Sequence, residues 1–192
     1  MTITKHDLLR LRRQYFVDAQ GGIALPVAGA IYWSVLAAAG LNMEAEQWGL
    51  TAAILSGFIF PVGFLLQWPL RSNFMKAKSP VSGVAWAAII AINFLWPVHF
   101  VIISVVPAAA PLSLAIGMTL HWPSIGWSYA SRVCYLHSAA RIAVVTLLWY
   151  GFPDLRLTGL PLAVAALYLA AAAGMALEVR WTRAWLARTQ GA

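Results

Sequence analysis

From Gly22 to Leu177 the chain is a succession of apolar runs, each close to 20 residues long and each ended by charge, proline or both. That is the length needed to cross a hydrocarbon core about 30 Å thick at about 1.5 Å per residue. Six runs fit: 22–41, 48–70, 81–106, 111–130, 134–152 and 159–177. They predict an all-α, polytopic membrane helix bundle of about six transmembrane helices, with residues 1–192 forming a single membrane domain. The breaks are "NMEAEQ", "RSNFMKAKSP", "PAAAP", "SR" and "PDLRL". The fourth is the least marked, since Ser131 and Arg132 alone must turn the chain, yet Met118 to Tyr150 is too long for one span. Composition agrees, with 61% of residues hydrophobic and 10% charged, against about 45–50% and 25% in soluble domains. Thirteen basic and six acidic side chains cannot cover a soluble surface for a chain of this size.

Cations set the orientation when they are counted over short loops. Lys5, Arg10, Arg12 and Arg13 precede the first span, Arg71, Lys76 and Lys78 join the second to the third, Arg132 joins the fourth to the fifth, and Arg180, Arg183 and Arg188 follow the sixth. The opposite side has Arg156 alone. A multi-pass protein of the inner (cytoplasmic) membrane with both termini cytoplasmic is expected. The net charge of +7 is then a topology signal and an attraction to anionic lipid, and no nucleic-acid partner is expected. Residues 4–20 are too polar to insert. Leu8, Leu11, Tyr15 and Phe16 recur at helical spacing opposite His6, Arg10, Arg13 and Gln20, although Arg12 and Asp18 fit the division less well. This pattern predicts an N-terminal amphipathic interfacial helix that anchors the chain on the bilayer surface.

Chemistry is scarce inside the spans. A lone cysteine, Cys134, excludes an intramolecular disulfide and a CxxC site. No Asp or Glu falls inside the hydrocarbon, so acid–base work by paired carboxylates is not expected, and the chain is read as other than an enzyme. What remains is Asn93 and His99 in the third span, His121 in the fourth, and His137 and Arg141 in the fifth, with Gln67 near the inner end of the second. Ionisable groups at such depth cost a few kcal/mol each on insertion scales, so by default they face the interior and serve function. His137 and Arg141 are four residues apart and share a helical face. Two cations there would repel, so a neutral His137 is expected beside a guanidinium bonded to backbone carbonyls, a Tyr hydroxyl, water, or an anionic ligand or lipid headgroup, unless it snorkels to the interface.

Three Trp-Pro pairs recur, at Trp68-Pro69, Trp96-Pro97 and Trp122-Pro123. Proline removes an amide hydrogen bond and frees the carbonyl four residues earlier, here those of Asn93 and Thr119, so kinks coincide with polar groups in the third and fourth spans. Broken helices of that kind form sites in transporters and channels. Trp127 and Tyr129 add aromatic side chains near the cytoplasmic turn. In the sixth span Ala166, Ala170 and Gly174 form a small-residue stripe, suited to a neighbouring helix or to a homo-oligomer. That span carries no polar residue but Tyr168, which predicts packing rather than chemistry.

"FLWPVHF" followed by "LAIGMTLHWPSIGWSYASRVCY" resembles a family of small bacterial integral membrane proteins of unknown function. In that family an aromatic-Trp-Pro span precedes a Leu-Gly run, a His, a Pro, a Gly-Trp and a Tyr-x-Ser-x-x-Tyr-like stretch. The matching positions are Trp96, Pro97, Gly117, His121, Pro123, Gly126, Trp127, Tyr129, Ser131 and Tyr135, within about Asn93 to His137, together with "AGAIYW" in the first span. The resemblance implies the membrane architecture and supplies no reaction.

Four function classes remain. The leading expectation is a small permease or channel-like protein with a polar pathway between spans three to five, lined by His121, His99, His137, Arg141, Asn93, Trp96, Trp122, Trp127 and Tyr129. The others are an accessory or scaffold subunit, a bis-His haem protein using His99 and His121, and a lipid-acting membrane enzyme using His121 or His137 with Arg141. No metal and no cofactor are expected beyond that haem alternative.

Overall fold

The computed structural model of the protein describes residues 4–190, and these are mostly helical with no strand. Ten helices follow in order: α1 (Lys5–Asp18), α2 (Ala24–Ala39), α3 (Ala45–Ser56), α4 (Ile59–Leu66), α5 (Ser82–Asn93), α6 (Trp96–Val105), α7 (Ala110–Gly117), α8 (Trp122–Tyr129), α9 (Arg132–Gly151) and α10 (Gly159–Gln190). Four stretches are long and apolar enough to cross a membrane: Gln20–Ala39, Ser82–Val105, Arg132–Gly151 and Gly159–Thr189. A fifth is the pair α3 and α4, bent by 45° at its break. The segment expected as the fourth span, 111–130, is instead two helices of eight residues separated by Met118–His121. At each deep Trp-Pro pair the proline stands in the first turn of a new helix, α6 or α8, where its missing amide would have had no partner. Pro123 therefore restarts a helix, while Pro97 lies within the stretch Ser82–Val105.

α2 is the centre of the bundle, packed on α10, α4 and α3. Trp33, Leu36 and Trp48 are fully buried there. Two side chains clamp α3 to α2: Trp48 Nε1 donates to the Leu36 carbonyl at 2.9 Å, and the Tyr32 hydroxyl donates to the Ala52 carbonyl at 2.9 Å. α9 packs against α7, α8 and α10. α4 lies on α2 and α5 on α8, while among the described residues α4 and α5 do not form a packed pair. The outer face of α5 and α6 is exposed and apolar, including Trp86, Ile90, Phe94, Val98 and Val101.

α1 forms where the sequence places a helix, opened by a capping box in which Thr4 and Asp7 bond reciprocally. Those bonds from Thr4 hold the Asp7 carboxyl below its usual range. Part of the apolar face of α1 meets protein. Tyr15 and Phe16 are buried with their rings 5.0 and 5.2 Å from that of Tyr129, and α1 packs on α8 and α10. Arg12 donates to the Trp127 carbonyl and lies 4.7 Å from the Trp127 ring, and Arg13 lies 4.0 Å from the ring of Trp185. These contacts explain why Arg12 did not fit an amphipathic division: its partner is an indole on another helix.

The corner from α1 into α2 runs through Gln20, Gly21 and Gly22 with φ of +51°, +70° and +64°. Such left-handed backbone favours glycine, and at Gly22 a Cβ would lie 3.1 Å from the Tyr129 hydroxyl. The turn between α8 and α9 is as short as the sequence demands. Ala130 is left-handed, Ser131 caps α9, and the Glu178 carboxylate from α10 accepts from the Ser131 hydroxyl and the Arg132 amide. At the other end of α9, Arg156 donates through Nε and Nη2 to the Trp149 carbonyl at 3.1 and 3.0 Å, its guanidinium 3.9 Å from that residue's ring.

Candidate functional site

Three helices are interrupted at adjoining places: α3/α4 at Gly57–Phe58, α5/α6 at Phe94–Leu95, and α7/α8 at Met118–His121. Residues beside all three breaks line two cavities, one of about 230 Å³ and one of about 80 Å³, which share Ser56, Ile92, Asn93 and Met118. The larger reaches from Gly21, Gly22 and Tyr129 at the α1–α2 corner to His121 and Asn93. The smaller continues to Trp96, His99 and Gly117. Ile59 and Phe60 of α4 and Ile89 and Ile92 of α5 line the larger cavity.

Each expected site residue can be placed. His121 lines the larger cavity with its Nδ1 buried and unpartnered among the described residues. Asn93 is exposed at the junction of the cavities, its amide folded back onto the Ile89 carbonyl at 2.7 Å. His99 is buried: Nδ1 pairs with the Ser113 hydroxyl at 2.7 Å, and its ring packs on Gly117 and lies 5.6 Å from Trp96. Trp127 is engaged with Arg12, and Tyr129 forms the lower wall against Tyr15 and Phe16.

His137 and Arg141 lie behind the cavity rather than on it. Trp122 and Tyr168 form the partition, since both rings line the cavity and both meet His137, at 4.2 and 5.1 Å between centroids. His137 Nδ1 donates to the Leu167 carbonyl at 3.2 Å, which leaves Nε2 buried without a partner. Arg141 is 0% exposed. Its guanidinium does not reach an interface but lies 4.7 Å from the Tyr168 ring and 5.3 Å from the Trp33 ring.

Sequence reasoning missed Trp33, Tyr168 and Ser56. Tyr168 was read as packing, yet it is the residue that touches Trp122, His137 and Arg141 together. A signal was present, because a single tyrosine in an otherwise apolar span offers a ring face to a buried cation or another ring. Ser56 gave none until the bend in α3–α4 brought it beside Asn93.

No three His, Cys, Asp or Glu side chains gather as a metal site requires among the described residues. The bis-His haem alternative does not fit either. His99 is held through Nδ1 by Ser113, and its Nε2 edge rests on α7, where even a Cβ at Gly117 would come within 2.6 Å. Neither nitrogen of His99 is free to reach an iron. The same contact predicts that Gly117→Ala destabilises the protein by about 1–3 kcal/mol, the usual range for overpacking, measurable as a lower midpoint in thermal unfolding. Gly117→Ala combined with His99→Ala should recover part of that loss.

Comparison with the curated proteins and with the solved structures returns no match. The sequence profile of one family does match, from Leu8 in α1 to Glu178 in α10, and therefore covers both cavities, their partition and Arg141. On that match the chain belongs to DUF7010, a family of unknown function.

Proposed function

We propose that the protein is a small permease of the inner membrane that binds a compact amphipathic molecule at the level where three of its helices are broken. In this reading the chain crosses six times, through α2, α3–α4, α5–α6, α7–α8, α9 and α10, with both termini cytoplasmic as the cation distribution requires. The observation that carries it is the coincidence of the three interruptions with the two joined cavities. Non-helical backbone at membrane depth is tolerated only where it is buried or lines a cavity, because each unsatisfied amide or carbonyl costs several kcal/mol in hydrocarbon. Discontinuous helices around a midplane site are the device by which transporters expose backbone to a substrate. Size sets the substrate class: an engineered apolar cavity of about 150 Å³ holds benzene, so about 230 Å³ suits a molecule somewhat larger. Its apolar body would face Ile59, Ile89 and Ile125, and its polar end His121.

The test is uptake into proteoliposomes, screened with labelled aromatic and branched-chain carboxylates, amines and alcohols. At least one should accumulate above the rate of protein-free liposomes. His121→Phe, which fills the cavity with an apolar ring, should return that rate to background. Transport unchanged in His121→Phe would refute the pathway, and no transport of any class would refute the permease.

A further inference from the structure

The buried cluster behind the partition is short of acceptors. Arg141 Nε, Nη1 and Nη2, Trp33 Nε1 and Trp122 Nε1 are each buried and unpartnered among the described residues. Arginine stays charged at any working pH, and burying an ion carries an effective penalty of several kcal/mol. Two cation–π contacts, with Trp33 and Tyr168, return about 0.5–2 kcal/mol each and satisfy none of the N–H donors. Nor can the chain supply a carboxylate. Asp7, Asp18, Glu44, Glu46 and Asp154 lie near helix ends and in connections, and Glu178 is committed to Ser131 and Arg132. The His137 Nε2 lone pair, one helical turn from Arg141, is a neighbouring acceptor without a partner among the described residues.

We propose that Arg141 is the receptor for a compact oxyanion, and that this anion is the head of the molecule whose apolar body occupies the larger cavity. The Trp122 and Tyr168 rings are in contact at the seam, their centroids 5.8 Å apart, so the head reaches Arg141 as one of the two rings swings aside. His121 and Trp122 stand at that seam with unpartnered N–H or ring nitrogen atoms, and Arg141 lies beyond Tyr168. A carboxylate offers two oxygens to the guanidinium fork, the geometry for which arginine is best suited. This deepens the permease reading by naming the substrate's charged group, and it rests on that cavity being the binding site.

The experiment is isothermal titration of the full chain in phosphatidylcholine nanodiscs with sodium benzoate, benzyl alcohol and sodium acetate. Benzoate should bind saturably and about tenfold or more tightly than benzyl alcohol, the worth of a hydrogen bond to a charged group. Arg141→Gln should lose that preference. Because the variant could fold poorly, the dipolar coupling between carboxyl-¹³C benzoate and ¹⁵N-guanidinium arginine, measured by solid-state NMR on the unmutated chain, provides the independent readout. A strong coupling is expected, to be lost when an excess of unlabelled benzoate is added. Equal affinity for benzoate and benzyl alcohol would overturn the anion site while leaving the cavity as a binding site. Acetate binding as tightly as benzoate would overturn the link between head and body and identify a free anion. Absence of binding or coupling with any of the three would overturn the proposal, whatever the transport assay shows.

Discussion

Arg141→Met is expected to melt higher than the unmutated protein in ligand-free detergent. Methionine keeps most of the volume and can rest on Trp33 and Tyr168, while the buried charge and its unpartnered N–H groups disappear. Replacing buried ions by apolar side chains of similar volume has stabilised proteins by about 1–4 kcal/mol, which for a chain of this size is roughly 2–15 °C in melting temperature. The sign is informative because almost every other substitution at a fully buried position destabilises. Benzoate should then separate the two proteins in the opposite sense. At about a hundred times its Kd it adds about 2.7 kcal/mol to a protein that binds it and nothing to one that does not, so the gap should narrow or reverse. A lower melting temperature for Arg141→Met would mean that the guanidinium holds the bundle together and has no need of a ligand.

Trp48→Ala is the largest loss expected. The side chain is fully buried between α3 and the end of α2, and removing a buried tryptophan costs about 3–5 kcal/mol, cavity included. Trp48→Phe keeps most of the apolar contact and forfeits the bond to Leu36. That carbonyl already accepts from the Gly40 amide at 3.0 Å, so the loss should be about 1 kcal/mol. Chemical or thermal unfolding of both variants measures the difference. If the two are equal, the hydrogen bond rather than the ring anchors α3, and the packing account of that corner is wrong.

The long helices were legible in the sequence because length and hydropathy are local properties. The apolar runs 22–41, 81–106 and 134–152 return as helical stretches with ends displaced by only a few residues. The interruptions were half legible. Trp96-Pro97 and Trp122-Pro123 marked two of the three, but a proline can kink a helix or begin one, and neighbouring backbone decides which. The break at Gly57–Phe58 begins four residues before Pro61, in the first turn of α4, but that proline is not part of a Trp-Pro pair. Among the polar residues, His121, Asn93 and His99 could be singled out because each is expensive at depth. What a sequence of apolar spans does not contain is rotation. A one-residue difference turns a helix by about 100°, and that angle alone put His137 and Arg141 behind Trp122 and Tyr168 rather than beside His121. The contacts of α1 with Tyr129 were hidden for a related reason, since an apolar stripe does not name the residues it meets.

Arg156 illustrates how a charge can be spent locally. It is the lone cation on its side of the expected topology, and a tally of cations scores it as opposing the orientation. Yet both of its donating nitrogens are directed at a carbonyl in the last turn of α9, where the helix dipole is negative. Tethered in that way, the guanidinium acts as a fastening for the helix terminus while keeping its charge. Moving it a few residues along the loop would preserve the arithmetic of the chain and unfasten α9.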